Sequence, residues 1–331
     1  MGKFTVFEFL REQWTELPIS TADVSGQSLV VVGTNVGLGN EAAVHLAQLK
    51  PKTLLITNRD EVKCELSKTD VETRSGMTGI ESWPLELSSF DSVRSFVDNF
   101  ETKGYTANVL IANAGISTMQ YAKTPDGYET TFQVNYLSTA LLSILMLPHL
   151  IETGTPERAS RLVIVSSEVH YMANRLKGAD KWSSIIETIN DEAYCTSSVM
   201  MNRYHLSKLL EVMFIRELSS RLPTPTLVAV SAKSNWDPIF KFAVSIYKGV
   251  LARTTEMGSR TLVHAAIEPG ERERHGHYLS SCEVTEESDY ALSAEGREVS
   301  KRLWHETLKI LGDIDPRVNT IVSEHLTQDI A

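Results

Sequence analysis

The chain has 331 residues, 42% hydrophobic and 22% charged, and its 32 Lys+Arg against 42 Asp+Glu leave a net charge of −10. This is the composition of a soluble globular protein, and so acidic a surface repels phosphate backbones and anionic headgroups, which excludes nucleic acid as an expected partner. The three cysteines, Cys64, Cys195 and Cys282, are odd in number and form no C-x-x-C pair, which argues against a disulfide framework or a zinc site.

The first 24 residues read as a helical leader with Phe7, Leu10, Trp14 and Leu17 on one face and acidic Glu8, Glu12 and Glu16 among its polar positions. That charge disfavours an anionic membrane, so packing against the body of the protein or a second subunit is expected. From residue 25 short β-branched runs alternate with longer amphipathic stretches, the mark of repeated βαβ units around a parallel sheet. Strands are expected at Ser28–Val32, Thr53–Thr57, Asn108–Ala112, Leu162–Ser166 and Thr226–Val230, with a weaker one near Ile80–Leu85. Helices are expected at about Gly37–Lys50, Asp60–Arg74, Ser88–Lys103, Gly127–Glu152 and Val199–Arg221. No Pro/Gly/Ser-rich linker interrupts the rhythm, so the reading is one doubly wound α/β domain over 25–312, followed by a tail over 313–331. Two segments break the alternation: an insertion over 178–199 and an apolar stretch over 235–251. Both are candidates for a substrate lid, because loops after the carboxyl ends of parallel strands overhang the ligand crevice. The alternative is an ordinary surface helix packed on the sheet.

Chemistry enters after the first strand. Val31-Val32-Gly33-Thr34-Asn35-Val36-Gly37-Leu38-Gly39 lies in the first βα turn, where glycines let backbone N–H groups approach a pyrophosphate at a helix N-terminus. A tight turn without ligand is the competing reading. At the end of the second strand, Ile56-Thr57-Asn58-Arg59-Asp60 places Arg59 where a dinucleotide's adenosine ribose would lie. An Arg there accommodates a 2′-phosphate, which favours NADP(H) over NAD(H); the alternative is a solvated residue at a helix start.

Of the ten tyrosines only Tyr204 is followed four residues later by a lysine, Lys208. That spacing puts both on one helical face, where an ammonium favours a phenolate. A free phenol titrates near about 10 and is otherwise a poor proton-transfer group at neutral pH. An exposed helix face is the competing account. Ser166-Ser167 ends a buried strand where a hydroxyl would face the crevice. His275-Gly276-His277 has close spacing, but no accompanying cluster of ligands supports a metal site.

Together these features resemble the short-chain dehydrogenase/reductase family over roughly residues 25–311. The resemblance rests on the G-x-x-x-G-x-G loop of Gly33, Gly37 and Gly39, on Asn113-Ala114-Gly115 after the fourth strand, on Asn135, on Ser167 and on the Tyr204–Lys208 pair. It implies a Rossmann-type sheet with helices on both faces and a catalytic tetrad of Asn135, Ser167, Tyr204 and Lys208. The implied cofactor residues are Gly33, Asn35, Gly37, Leu38, Gly39, Arg59, Glu86, Leu87, Asn113, Ala114 and Gly115, together with Tyr204 and Lys208. By the same resemblance Tyr204 donates a proton to a carbonyl oxygen that Ser167 also holds, Lys208 binds the nicotinamide ribose, and Asn135 holds a relay water.

The segments Arg161–His170 and Tyr204–Lys208 look like the retinol-dehydrogenase-like and fungal secondary-metabolite reductase branch, which implies a small apolar ketone, aldehyde or secondary alcohol as substrate. Relatives commonly pair through the helix carrying the tyrosine, so a homo-oligomer is an expectation.

The sequence departs from the family pattern at Val32, where a Thr is usual, and at Ala112, where an Asn is usual. After the sixth strand the expected Pro–Gly turn is missing from Val230-Ser231-Ala232-Lys233-Ser234-Asn235-Trp236. Either Ser231 or Ser234 then clasps the nicotinamide carboxamide from a differently shaped loop, or turnover suffers. The second possibility defines the alternative function, a dinucleotide-binding sensor or scaffold. No N-x-[ST] acceptor occurs, and neither terminus reads as a targeting signal, so the cytoplasm is the expected compartment. Apolar runs such as Thr139–Leu147 are too short to span a bilayer, so no integral membrane segment is expected.

Overall fold

The computed structural model describes residues 15–174, 176–222, 227–234 and 253–327. Its centre is β1 (Ser28–Val32), buried along its whole length. A strand this apolar at every position must be covered on both faces, and its alternate residues do face two cores. Val30 and Val32 belong to one cluster, and Leu29 and Val31 to the other. The same alternation recurs in β5 (Ser160–Ser167), where Leu162 and Ile164 face the first cluster and Val163 and Val165 the second.

β1 pairs in parallel with β2 (Thr53–Asn58) on one side and β4 (Val109–Ala112) on the other. β3 (Glu81–Pro84) continues from β2, and β5, β6 (Leu227–Ser234) and β7 (Tyr278–Ser280) continue from β4. The order is β3-β2-β1-β4-β5-β6-β7-β8, and β8 (Glu283–Thr285) is the one antiparallel strand among those described. Strand order reverses between β1 and β4, which opens a crevice at the strands' carboxyl ends.

Around the sheet run α1 (Leu38–Gln48), α2 (Glu61–Ser75), α3 (Phe90–Thr102), α4 (Thr130–Thr153), α5 (Ile185–Asn190), α6 (Arg203–Arg221), α7 (Thr255–Ile267), α8 (Ala294–Ile314) and α9 (Arg317–His325). Local chemistry starts two of them close to where the sequence predicts. Asp60 accepts the Lys63 N–H to cap α2, and Ser89 accepts the Ser92 N–H to cap α3. α4 is, by its 24 residues and composition, long and apolar enough to cross a bilayer, contrary to the expectation from the short apolar runs. However, 83% of its most apolar stretch is buried inside the fold.

The insertion over 178–199 is bolted to α8. Glu306 accepts from the Ser184 hydroxyl and from the Ile185 and Ile186 N–H groups, Glu295 accepts the Gly178 N–H, and Arg302 donates to the carbonyls of Ala179, Asp180 and Trp182. Ile185, Ile186 and Ile189 are buried in the first core cluster. The residues after 312, expected as a tail, carry α9, whose Val318 and Ile321 join the same cluster. α8 also covers α6, through Trp304 against Phe214 at 5.5 Å between ring centroids. α6 is the helix through which pairing with a second copy is expected. Of the leader, Leu17 is buried and its carbonyl accepts from Arg260 of α7; Phe7, Leu10 and Trp14 lie outside the described residues, as does the expected lid over 235–251.

Candidate active site

Two positions of the loop after β1 leave no room for a side chain. Gly33 has φ 82°, and a Cβ there would lie 2.7 Å from the Ala114 Cβ. A Cβ on Gly39 would lie 2.3 Å from both the Gly33 carbonyl oxygen and Asn113 Nδ2. Glycine is the residue that tolerates both conditions. Asn113 Nδ2 donates to the Gly33 carbonyl at 2.9 Å, tying the β1 and β4 loops together. The hydroxyl lost at Val32 has a local substitute that sequence reading missed in Thr34. Its carbonyl accepts from Ser67 Oγ at 2.8 Å and Asn40 Nδ2 at 3.1 Å, and its hydroxyl accepts from Asn58 Nδ2 at 3.2 Å. α1 begins at Gly37 without a side-chain cap, and its first internal bond is Glu41 N–H to the Gly37 carbonyl. The N–H groups of Leu38, Gly39 and Asn40, which precede that bond, are therefore not spent within α1, which is what a phosphate requires.

They open into a cleft of about 620 Å³ lined by Gly33, Asn35, Gly37 and Leu38, by Glu86 and Leu87, by Asn113, Ala114 and Gly115, and by Arg59, Tyr204 and Lys208. Gly39, Asn135 and Ser167 are not among the residues that line it. A Cβ on Gly37 would meet nothing within 4 Å, so the cradle is open where a dinucleotide's pyrophosphate would rest.

At the β2 end the Arg59 side chain is 65% exposed, and it is joined by Lys63, a residue sequence reading missed. Lys63 forms an ion pair with Asp60 and lowers that carboxyl's pKa through hydrogen bonds. Beside Glu86, whose carboxylate accepts the Ser88 N–H at 2.8 Å, Leu87 is buried.

Asn135 lies in a π-helical turn, Gln133–Leu137, inside α4; such turns recur at functional sites. Its Oδ1 accepts the Ile116 N–H at 2.8 Å, and its Nδ2 donates to the Ile116 carbonyl and to Ser207 Oγ, both at 2.9 Å. The side-chain amide is thus engaged at both ends in fixing the turn after Gly115. Tyr204 and Lys208 share one face of α6 and both are buried, with the ammonium 5.5 Å from the phenol ring centroid. Lys208 Nζ donates to the Val165 carbonyl and to Glu211 Oε1, each at 2.8 Å. A Cβ on Gly115 would come within 3.4 Å of both Lys208 Nζ and Asn135 Oδ1, so Gly115 gives the cleft access to these groups.

Ser167 ends β5 in extended conformation and is buried, while the neighbouring Ser166 hydroxyl donates to the Lys208 carbonyl at 2.8 Å. His170, one turn on, donates from Nδ1 to the Ser167 carbonyl at 2.7 Å, and burial pushes its pKa down to about 4, so the imidazole is neutral. Ser231 pairs mid-strand with Ile164 and Ser234 pairs with Ser167 at the carboxyl end of β6. None of the insertion's described residues lines this cleft.

A doubly wound parallel sheet with a glycine cradle at its switch point and a Tyr–Lys face in the same cleft defines a dinucleotide-binding α/β oxidoreductase. The family model for short chain dehydrogenases matches residues 27–179. The chain is 34% identical over 327 residues to the short chain dehydrogenase/reductase dmxR8 of Cryptosporiopsis sp. (strain 8999), covering 94% of this chain and 99% of that one. Its fold is similar to a crystal structure of an uncharacterized protein from Mycobacterium paratuberculosis, with a TM-score of 0.68 and 25% identity over 90% of this chain and 98% of that one. It is also similar in fold to a short chain dehydrogenase from Shigella flexneri complexed with NADP, with a TM-score of 0.59 and 16% identity over 79% of this chain and 99% of that one. The chain belongs to the short-chain dehydrogenase/reductase family of nicotinamide-dinucleotide oxidoreductases.

Proposed function

We propose that this protein is an NADP(H)-dependent reductase of apolar ketones or aldehydes, able to run in reverse on secondary alcohols, and that it serves secondary metabolism in the cytoplasm. The observation that carries the reading is that Tyr204 and Lys208 open into the same cleft as the Gly33–Gly37 cradle. When bound, the nicotinamide supplies hydride to the substrate's carbonyl carbon. Tyr204 gives the proton to the carbonyl oxygen, Ser167 hydrogen-bonds that oxygen, and Lys208 favours the phenolate that remains. Asn135 holds the Ile116 turn in place beside them.

NADP(H) is favoured over NAD(H) because two cations, Arg59 and Lys63, line the adenosine end, while the nearby Asp60 carboxylate is consumed as helix cap and ion-pair partner. A structural neighbour complexed with NADP agrees with this choice. Three cysteines without disulfides agree with a reducing compartment.

The test is consumption of NADPH with a panel of apolar aldehydes and ketones, alongside fluorescence enhancement on NADPH binding. Turnover with NADH and none with NADPH would reverse the cofactor assignment. The double substitution Arg59→Gln/Lys63→Gln is expected to weaken NADPH binding roughly tenfold to a hundredfold and to leave NADH nearly unchanged. Equal losses for both cofactors would remove these residues from 2′-phosphate recognition.

A further inference from the structure

Glu211 is one turn beyond Lys208 on α6, and both side chains are 3% exposed. A buried carboxyl beside the active-site ammonium is costly unless it is paired, and stability alone is a weak reason to keep such a pair. Two of the ammonium's three donors are taken by the Val165 carbonyl and Glu211 Oε1, which leaves one for the cleft. Glu211 Oε1 is held by Lys208 while Oε2 makes no hydrogen bond of its own. Lys208 is the charged group acting on this carboxyl; β5 contributes only the neutral Ser166 hydroxyl. Among the other titratable groups packed around α6, Glu129 is paired with Arg203, Glu306 holds the insertion, and His170 is neutral.

We propose that Glu211 is a positioning residue that acts through Lys208: its carboxyl orients the ammonium toward the cleft, and it takes up a proton when an anionic dinucleotide engages that ammonium. Burial already pushes the Glu211 pKa up to about 7, against the opposing effect of Lys208. An anionic cofactor that shares the ammonium and excludes water raises it further, so binding draws a proton from solution and is tighter below neutral pH than above it.

The inference rests on the dinucleotide site argued above, and calorimetry separates the two. NADPH is titrated into the full chain near neutral pH in two buffers of different ionisation enthalpy. The expected result is net proton uptake on binding by the native protein and close to none by Glu211→Gln. Steady-state kinetics of Glu211→Gln are expected to show a raised KM for NADPH with a smaller change in kcat. Glu211→Asp, which keeps the charge but shortens the reach, is expected to retain the proton uptake. Binding heat without proton uptake in the native protein overturns the role of Glu211 and leaves the cofactor site intact, and that arm needs no variant to fold. Equal uptake in Glu211→Gln likewise overturns it. If NADPH gives no heat, the NADP(H) reading fails and the same titration with NADH decides the role of Glu211; silence with both cofactors removes both.

Discussion

Tyr204→Phe is expected to lower NADPH-dependent turnover of an apolar ketone or aldehyde about a thousandfold, within the range a general acid contributes. NADPH affinity should stay within about twofold, because the substitution removes one oxygen and leaves the phosphate cradle untouched. The ring is buried, with the Lys208 ammonium 5.5 Å from its centroid, and Phe preserves that packing. A cation–π contact favours keeping the ammonium in place over either ring. The measurements are initial-rate assays for turnover and fluorescence titration for binding. Loss of both signals would mean that Tyr204 builds the site rather than serving it, and full retention of turnover would take the proton donor elsewhere.

Much of this was legible in the chain because buried parallel strands and glycine loops obey local rules. β1 falls at Ser28–Val32 as predicted, since five consecutive apolar or small residues admit little else in this rhythm. Gly33 and Gly39 could be read because a Cβ at either would collide with neighbouring atoms, and such positions leave one residue type. The far edge of the sheet was not legible. β7 and β8 have three residues each, and the turn between them puts Ser281 and Cys282 at φ 55° and 68° without the Asn-Gly or Asp-Gly that normally announces such a turn. The anchoring of the insertion was not legible either, because its partners, Glu295, Arg302 and Glu306, lie more than a hundred residues downstream on α8. Lys63 was hidden for the opposite reason: it sits so near Arg59 that it read as an ordinary helix residue, and only the turn of α2 brings it to the cleft. Glu211 carried a signal, its spacing of three from Lys208 on one helix, but burial of the pair comes from α6 lying between the sheet and α8.

The buried pair of Glu129 and Arg203 has the largest expected effect on stability. Arg203 Nε lies 3.2 Å from Glu129 Oε2, with side-chain exposures of 1% and 0%. Glu129 also accepts the N–H groups of Thr131 and Phe132 at 2.9 Å, directly before the π-helical turn that holds Asn135. Arg203 in turn donates to the Ile189 carbonyl and to Cys195 Sγ, both at 2.6 Å, so one guanidinium joins the insertion to the start of the tyrosine-bearing helix. Glu129→Gln leaves that cation buried without its counter-charge, which costs about 3–5 kcal/mol. A lowered urea midpoint with an unchanged slope would register the loss as one of stability rather than of compactness. Replacing both partners by apolar residues, Glu129→Leu with Arg203→Met, removes the uncompensated charge along with the attraction and is expected to recover most of the loss. A single variant as stable as the native protein would show that the ion pair contributes nothing to the fold. A double variant as unstable as the single would place the cost in the lost backbone hydrogen bonds at Thr131 and Phe132 instead of in charge burial.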